Sequence, residues 1–509
     1  MDLFASVQNG VFICLQPTNL AFCFLGVLIG TLVGVLPGLG PSAAIALLLP
    51  TTFHIPPVSA IIMLAGIYYG AMYGGSTTSI LVSIPGEAAS VITTLDGYQM
   101  ARKGRAGAAL GIAAFGSFIG GTLSIIGLMF LAPPMAEVAL GFGPPENFAF
   151  LCLGLLLVAS LGGGSFGKAI MMAVLGIFLG SIGRDVIAGT PRFCFGITDL
   201  MDGIGIVPLV MGLFGIAEVL FNLEESAKRV VVANRIEGLL PNGKDWKDSI
   251  GAILRGTGIG FFLGILPGGG SIIASFASYS IEKKISKEPE KFGTGIIQGV
   301  AAPETANNAA TGGAFIPLLT LGIPCNAVMA VLVGAMMIYG IHPGPTLIRE
   351  HSDLFWGVII SMYFGNIMLL ILNLPLIRLL VKILKVPYPV LFPLILIFCL
   401  IGAFSINNNT FDVTLMVLFG FLGYFMRKFR YDAAPLIMAF VLGPLIEENL
   451  RHSLLLSKGS PIIFFTRPLA AVLILVNLFL ITRSLCKNFL QRRRAKVIPK
   501  GAEITLEGG

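Results

Sequence analysis

Polar residues cluster at two points of an otherwise apolar sequence, and these are the points where the chain could do chemistry. Gly74 to Ser79 reads GGSTTS, and Glu304 to Gly313 reads ETANNAATGG. Hydroxyls, amides and helix N-terminal N–H groups can bind a carboxylate, whereas hydroxyls, carbonyls and carboxylates can bind a sodium ion. The alternative is that these side chains only hydrogen-bond helices to one another. We favour a site, with substrate contacts from Ser76, Thr77, Thr78, Ser79, Asn307, Asn308 and Thr311.

Two glycine-proline segments interrupt apolar helices close to these clusters. Gly34 to Ser42 reads GVLPGLGPS, and Gly264 to Ser271 reads GILPGGGS. Proline removes a backbone N–H, and successive glycines let the backbone leave helical geometry. Broken helices at membrane depth are tolerated where they are buried or line a cavity, so matched breaks in two halves indicate a transport site rather than a packing kink. We therefore predict that substrate also contacts Gly38, Gly40, Ser42, Gly268, Gly269, Gly270 and Ser271.

Two carboxylates accompany the polar clusters. Glu87 and Glu304 lie at or near membrane depth, where an ionisable group is expensive and usually functional. With Thr305 they are the candidates for binding a coupling cation or proton, although each could instead face water at a loop. Asp96 lies close in sequence to Arg102 and Lys103, and we expect it to be a loop residue or a helix cap.

Other kinds of site find little support. The four His are dispersed, the seven Cys form no C-x-x-C pair, and no G-x-S-x-G elbow with a partnered His appears, so we expect no metal site, disulfide framework or catalytic nucleophile. The segment GGGSFGK, ending at Lys168, resembles a Walker A loop but lacks the final Ser or Thr. We predict neither a cofactor nor an enzyme. The net charge of +7 is better explained by cytoplasmic loops than by binding to nucleic acid.

The elements that must position these residues are membrane helices. The chain is 55% apolar and only 12% charged, about half the charged fraction of a soluble domain. Apolar runs of roughly 20 residues predict roughly ten to twelve transmembrane helices, some broken or re-entrant. Basic loops place residues near 102–105, 228–247, 283–291, 378–385, 427–430 and the tail in the cytoplasm, and residues 341–353 and 407–410 outside. The first ten residues have no basic n-region, so we expect them to be retained.

The sequence also contains an internal repeat. Gly26, Gly30 and Gly34 match Gly256, Gly260 and Gly264 at one constant offset in the numbering. Loops that correspond in the two copies carry opposite charge patterns, which favours two inverted-topology repeats. We assign the first transmembrane repeat to residues 1–225, a cytoplasmic linker to 226–248, the second repeat with additional helices to 249–485, and a cytoplasmic tail to 486–509.

Six long motifs between about Leu20 and Pro468 closely resemble those of the large membrane subunit of the tripartite tricarboxylate transporters (TctA type). They are GVLPGLGPSAAIALLLP, YYGAMYGGSTTSILVSIPGE, LDGYQMARKGRAG, LPGGGSIIASFASY, APETANNAATGGAFIPLLTLGIP and YGIHPGP. The resemblance implies a secondary transporter of the bacterial inner membrane that works with a small membrane subunit and a periplasmic solute-binding protein. It implies carboxylate substrates, citrate being the namesake, a driving gradient of sodium ions or protons, and an elevator-like motion of inverted repeats.

Alternatives remain at this stage. A membrane channel, or a permease for another small solute, could use the same re-entrant motifs. A membrane-embedded enzyme would need a clustered acid, base or metal set, and a scaffold for other subunits would not need matched polar breaks. The site residues are generic hydroxyls and amides, so the sequence does not specify which carboxylate is carried.

Overall fold

Helices make up almost all of the regular structure. The computed structural model describes residues 3–36, 40–161, 165–185, 187–224, 238–377 and 388–497. Within these ranges the only sheet is an antiparallel hairpin of β1 (Gly183–Arg184) and β2 (Pro191–Arg192). An apolar chain favours helices because a helix satisfies its backbone hydrogen bonds within one segment. The predicted all-α class is confirmed.

The helices are numbered in chain order. Those of the first half are α1 (Leu3–Leu15), α2 (Pro17–Val35), α3 (Pro41–Leu48), α4 (Pro57–Val82), α5 (Thr93–Arg102), α6 (Ala106–Leu140), α7 (Pro144–Leu161), α8 (Phe166–Gly180) and α9 (Ile206–Glu224). Those of the second half are α10 (Gly243–Ile265), α11 (Gly270–Ile285), α12 (Gln298–Leu321), α13 (Ala327–Ile338), α14 (Ser352–Asn373), α15 (Tyr388–Asn407), α16 (Thr410–Lys428), α17 (Ala434–Leu456) and α18 (Pro468–Val497). Short turns lie at Leu49–His54, Ala88–Val91, Thr198–Asp202, Pro289–Lys291, Leu347–Glu350 and Ile463–Thr466.

The apolar helices fall into two length classes. In the described ranges six are long and apolar enough to cross a membrane, namely α2, α4, α6, α9, α14 and α16. Shorter apolar stretches of 10 to 17 residues lie in α1, α7, α8, α13, α15 and α18. Helix α9 contains a π-helical stretch, Met211–Ile216. The chain is an all-α polytopic membrane protein in which full spans alternate with shorter segments.

Helix α2 packs closely along α4 through three glycines, each one helical turn after the last. A Cβ atom at any of these positions would lie closer than 3.0 Å to a carbonyl oxygen of α4. The contacts pair Gly26 with Met63, Gly30 with Ile67 and Gly34 with Ala71. Small residues at this spacing let two helix backbones approach directly, which is how membrane helices gain packing energy.

Helix α10 packs along α12 in the same way. The contacts pair Gly256 with Ala302, Gly260 with Ala306 and Gly264 with Ala310. Each glycine of α10 follows its match on α2 by the same number of residues. Each carbonyl partner on α12 likewise follows its match on α4 by one fixed number of residues, which is slightly larger. The repeat found in the sequence is thus also a repeat of helix packing, whereas its inverted orientation in the membrane stays a prediction.

Asp96 was expected at a loop or helix cap beside Arg102 and Lys103, and this expectation is only partly right. The carboxylate is fully buried on α5 and accepts a 2.8 Å hydrogen bond from the Tyr279 hydroxyl. It also accepts hydrogen bonds of 2.7 to 3.0 Å from the backbone N–H groups of Gly293, Gly295 and Ile296. Asp96 therefore caps a turn of the second half rather than its own helix, and it fastens α5 to the segment that precedes α12.

Lys168 has a structural partner. Its Nζ donates a 2.6 Å hydrogen bond to the carbonyl of Phe429 just after α16, and it lies 4.6 Å from the Tyr431 ring centroid. A cation at a helix C-terminus satisfies a free carbonyl and the helix dipole. Residues 162–164 of the Walker-like segment lie outside the described residues.

Candidate functional site

The two polar clusters meet where α4 and α12 cross. Near one end of the crossing the rings of Tyr68 and Phe315 lie 6.4 Å apart, and near the other the hydroxyl of Ser76 donates a hydrogen bond to Glu304. Since later residues of α4 contact earlier residues of α12, the helices are antiparallel. This direction brings the C-terminal polar run of α4 beside the N-terminal polar run of α12. We call this region the polar centre.

Glu304 is fully buried at the polar centre, so the alternative that it faces water at a loop is wrong. Its side chain is 0% exposed and accepts hydrogen bonds from the hydroxyls of Ser76 and Thr93. Both donors belong to the first half of the chain. Burying a carboxylate is tolerable only when polar groups or an opposite charge compensate it. Here the compensation by protein groups comes from two neutral hydroxyls.

Glu87 is the reverse case, because it is a carboxylate of the first half that accepts a hydrogen bond from the second half. It is 7% exposed and begins the turn Ala88–Val91, where the N–H of Ala89 donates to it at 2.6 Å. The Nδ2 of Asn307 donates to the other carboxylate oxygen at 3.2 Å. Each half therefore supplies an acid and the groups that hydrogen-bond the acid of the other half.

Asn307 and Asn308 each leave one acceptor unused. Asn308 donates from Nδ2 to the Ser117 hydroxyl at 2.8 Å and to the Glu304 carbonyl at 3.1 Å. The Oδ1 atoms of Asn307 and Asn308 are buried and have no hydrogen-bond partner. A buried acceptor without a donor is costly, so such atoms indicate a place where a cation or a hydrogen-bond donor binds.

The remaining predicted hydroxyls differ in where they point. Thr78, Thr305 and Thr311 hydrogen-bond carbonyls three or four residues earlier on their own helices. Ser79 bonds the carbonyl of Gly75 and both oxygens of Ser90. Thr305 packs against the glycines of α6 at 116 and 120, on a different side from the glutamates. Its predicted ion contact would need a rearrangement, while Ser79 fixes the loop that carries Glu87.

The two glycine-proline breaks differ in their surroundings. Gly38 lies outside the described residues, while Gly40 begins α3 with a φ of −77° and open space around its Cα. In the second break Gly268 has a φ of +77°, and a Cβ there would lie 2.8 Å from the Cα of Val158 on α7. Its N–H donates to the carbonyl of Cys325 at 2.9 Å. The second break is therefore packed against α7.

The first break opens into a cavity of about 510 Å³, which we call the inner cavity. Its walls are Gly40 and the loop after α4 on one side, and the middle of α9 and the C-terminal end of α16 on the other. The lining includes Gly40, Glu87, Glu218, Arg427 and Asp432. Arg427 pairs with Glu218, and its guanidinium lies 4.0 Å from the Phe221 ring centroid. Since residues 427–430 form one of the predicted cytoplasmic clusters, the cavity lies on the predicted cytoplasmic side.

The sequence model of the "Tripartite tricarboxylate transporter TctA family" matches residues 20–438. The chain belongs to the TctA family. The match covers both breaks and both polar clusters, so the resemblance inferred from the motifs is confirmed. A TctA-family chain is a membrane transporter component of a tripartite system, which favours transport over catalysis for the polar centre.

Two curated relatives of this TctA-family chain come from Agrobacterium vitis. One is described as "Uncharacterized 52.8 kDa protein in TAR-I ttuC' 3'region"; it is 51% identical over 493 residues, covering 97% of this chain and 98% of the relative. The other, "Uncharacterized protein in TAR-II ttuC' 3'region", is 53% identical over 234 residues, covering 46% of this chain and 97% of the relative. No solved structure matches the chain.

Sequence reasoning missed polar residues of the TctA-family chain that lie on α6 and α14. Ser117 bonds Asn308, and Asn366 accepts a hydrogen bond from Tyr73 while donating to Phe118 and Thr122 at 2.9 Å. Asn373, at the end of α14, leaves its Oδ1 buried without a partner. A lone Asn in an apolar helix was the available signal, because polar groups at membrane depth are rare and usually functional.

The described part of the chain holds no group of three or more His, Cys, Asp or Glu side chains placed to bind a metal ion. The donor set at the polar centre consists of hydroxyl, amide and carboxylate oxygens. Oxygen donors of this kind suit hard cations such as Na⁺ rather than zinc or copper.

Proposed function

We propose that the chain is the large transmembrane subunit of a binding-protein-dependent secondary transporter that imports tricarboxylates or related carboxylates. A gradient of sodium ions or protons drives the import. A small membrane subunit and a periplasmic solute-binding protein complete the system, which works in the bacterial inner membrane. Membership of the TctA family supports each part of this proposal.

The observation that carries the proposal is the inner cavity. Its volume of about 510 Å³ lies within the roughly 300–1,000 Å³ typical of small-molecule sites. It reaches Gly40 at a broken helix and Glu87, whose partner is Asn307. Broken helices beside buried polar groups are where secondary transporters bind substrate and ion.

The small size of the cavities beside the polar centre favours a carrier over a channel. Two cavities beside the polar centre measure about 10 and 20 Å³, too small for a carboxylate. A solute that enters the inner cavity would therefore need a conformational change to cross. In the mechanism we propose, the bundle with the two breaks moves against the remaining helices when substrate and ion are bound. Such a shift requires that the ligands bind the two states with different affinity.

The test is uptake of labelled citrate into proteoliposomes that hold both membrane subunits, with the binding protein outside. Uptake is measured with an inward sodium gradient, with an inward proton gradient and with neither. We expect saturable uptake that needs the binding protein and one of the gradients. Uptake that is linear in citrate concentration and independent of any gradient would support the channel. Failure with citrate leads to a panel of other carboxylates, and failure across the panel would reject the proposal.

A further inference from the structure

The smaller of the two small cavities beside the polar centre is lined largely by polar residues of three helices. It measures about 10 Å³ and lies between α4, α6 and the C-terminal end of α14. Four polar residues that are at least nine-tenths buried line it beside Tyr73: Ser76, Thr77, Ser117 and Asn373. A volume of roughly 10–15 Å³ holds one water-sized occupant. We call this space the α14 cavity.

The hydrogens of the lining groups are mostly directed away from the α14 cavity. Ser76 donates its proton to Glu304, and Ser117 donates to the Glu304 carbonyl at 3.4 Å. Asn373 donates from Nδ2 to the Leu369 carbonyl at 3.0 Å, and its Oδ1 is buried without a partner, with the residue 5% exposed. On the polar part of the wall, Ser76, Ser117 and Asn373 thus have oxygen lone pairs rather than hydrogens left over, whereas Leu110, Ala113 and Ala114 form an apolar part.

A carboxyl group lies next to this wall. Glu304 is linked to the α14 cavity through Ser76, and the groups that hydrogen-bond its carboxylate are two neutral hydroxyls. A buried carboxylate is best compensated by an opposite charge close by. A monovalent cation in the α14 cavity would supply that charge and would give the Asn373 oxygen a partner. Hydroxyl, amide and carboxylate oxygens are ligands that Na⁺ accepts in transporters with broken helices.

We propose that the α14 cavity is a sodium site, with Asn373 Oδ1 and the hydroxyl oxygens of Ser76, Thr77 and Ser117 as ligands and Glu304 as the balancing charge. This inference rests on the proposed function, because it names the site of the coupling ion. It also reassigns Ser76 and Thr77 from the carboxylate to the cation, since the α14 cavity is too small for a carboxylate. The same Ser117 hydroxyl contacts Asn308, so occupancy by the ion is transmitted directly to α12.

The experiment measures thermal unfolding of the purified full-length protein in detergent, without substrate or partner proteins. Sodium chloride is titrated at constant ionic strength against potassium chloride and choline chloride. We expect a saturable rise of Tm with Na⁺ that the other two salts do not give, because a ligand that binds only the folded state stabilises it. Asn373→Ala should raise the half-saturating Na⁺ concentration at least about tenfold, as loss of metal-site groups does.

The chain offers a matched control on α18. Asn477 is 6% exposed, donates from Nδ2 to the Ala149 carbonyl at 2.9 Å, and also leaves Oδ1 buried without a partner. Asn477→Ala should keep the wild-type response to Na⁺, which separates the site from the general effect of removing a buried amide. If Asn373→Ala does not fold, Thr77→Val removes a different cavity oxygen with little change of shape and should give the same tenfold shift.

Two results would overturn the inference. One is equal stabilisation of the wild type by all three salts, and the other is an unchanged Na⁺ response in Asn373→Ala or Thr77→Val; either assigns a buried water to the α14 cavity. The outcome is independent of the proposed carboxylate transport. A sodium response without carboxylate uptake would reject the proposed function alone, and uptake without a sodium response would reject the sodium site alone.

Discussion

The two halves of the molecule share a packing frame but differ in their chemistry. In each half a helix with three glycines lies against carbonyls of a long partner helix, α2 on α4 and α10 on α12. The agreement extends further. Gly74 on α4 approaches the Thr31 carbonyl, and Gly313, at the equivalent position of α12, approaches the Phe261 carbonyl. The frame is therefore repeated almost residue by residue.

The polar residues are not repeated. When α12 is aligned with α4 through these packing contacts, Asn307 and Asn308 correspond to Tyr68 and Tyr69, and Ser76 corresponds to Phe315. Because α4 and α12 are antiparallel, polar residues at the end of one and the start of the other still come together. The repeated glycine contacts hold α4 and α12 in fixed positions. Because the polar side chains of these two helices differ, they build one polar centre rather than two.

The breaks show a second difference between the halves. Gly40 lines the inner cavity, whereas Gly268 is packed against α7. Equivalent frames thus place one break in contact with a large cavity and pack part of the other against a neighbouring helix. An alternating-access carrier requires such an asymmetry in any one state, and the roles of the two breaks would exchange in the opposite state.

The prediction with the largest expected effect on stability tests whether the packing frames of the two halves are equivalent. Gly30→Ala and Gly260→Ala both place a Cβ closer than 3.0 Å to a helix carbonyl, and α-helix backbone cannot yield easily. We expect each variant to lose more than about 3 kcal/mol of stability or to fail to fold. The measurement is thermal unfolding in detergent together with the yield of monodisperse protein.

Gly258→Ala is the matched control for this prediction. It lies on the same helix as Gly260, and nothing lies within 4 Å of a Cβ at that position. Alanine is a better helix former than glycine by about 1 kcal/mol, so this variant should be at least as stable as the wild type. If Gly260→Ala were as stable as Gly258→Ala, the packing frame of the second half would be wrong.

The next prediction tests whether two equivalent positions of the repeat, one in each half, differ in their role in transport. Asn308→Ala should lower carboxylate uptake by at least about tenfold, because it removes the amide that links Ser117 to the Glu304 backbone. Its equivalent in the first half is Tyr69, whose hydroxyl lies 3.8 Å from the Cys23 sulfur. Tyr69→Phe should transport at close to the wild-type rate. Expression and Tm are measured for both variants.

Uptake at the wild-type rate in Asn308→Ala would mean that Asn308 only packs helices together. An equal loss in Tyr69→Phe would mean that both members of this equivalent pair take part in transport, and the conclusion that only the packing frame is repeated would then fail.

A third prediction concerns the asymmetry of the breaks. In a background without native cysteines, a thiol reagent should modify Gly40→Cys at least about tenfold faster than Ser271→Cys, because reaction requires access as well as a thiolate. Gly40 faces the inner cavity with a backbone that accepts a side chain, whereas Ser271 is 6% exposed. Labelling rates are measured in inside-out membrane vesicles. Equal rates would show that both breaks are accessible in the resting protein.

The sequence predicted the frame better than the site. The glycine spacing and the two breaks were visible because they repeat at a fixed offset, and a repeat can be recognised without coordinates. The roles of Ser117 and Asn373 were not visible, since the residues of other helices that they meet, Asn308 for Ser117 and the lining of the α14 cavity for Asn373, lie far away in the sequence. A lone polar residue in an apolar run signals a function but does not show which residues it meets. The expectation for Asp96 was only partly right because most of its partners are backbone N–H groups, which leave no mark in the sequence.

The smallest expected effect on Tm comes from a contact outside the packing frame, where the β1–β2 hairpin of the first half meets α17 of the second half. Asp185 lies in the connection after α8, where hydrogen bonds from the N–H groups of Ala188 and Ile187, and then the Arg451 guanidinium, lower the pKa of its carboxyl. A carboxyl whose pKa is lower in the folded state stabilises that state above its unfolded pKa of about 3.9, and this stabilisation is lost as the pH falls further. The difference in Tm between the wild type and Asp185→Asn should therefore be present at pH 6, shrink below pH 4, and stay smaller than the effect of either frame glycine. A difference that persists unchanged at pH 3 would assign the effect of Asp185 to packing rather than charge, and the hairpin would not be an electrostatic link between the halves.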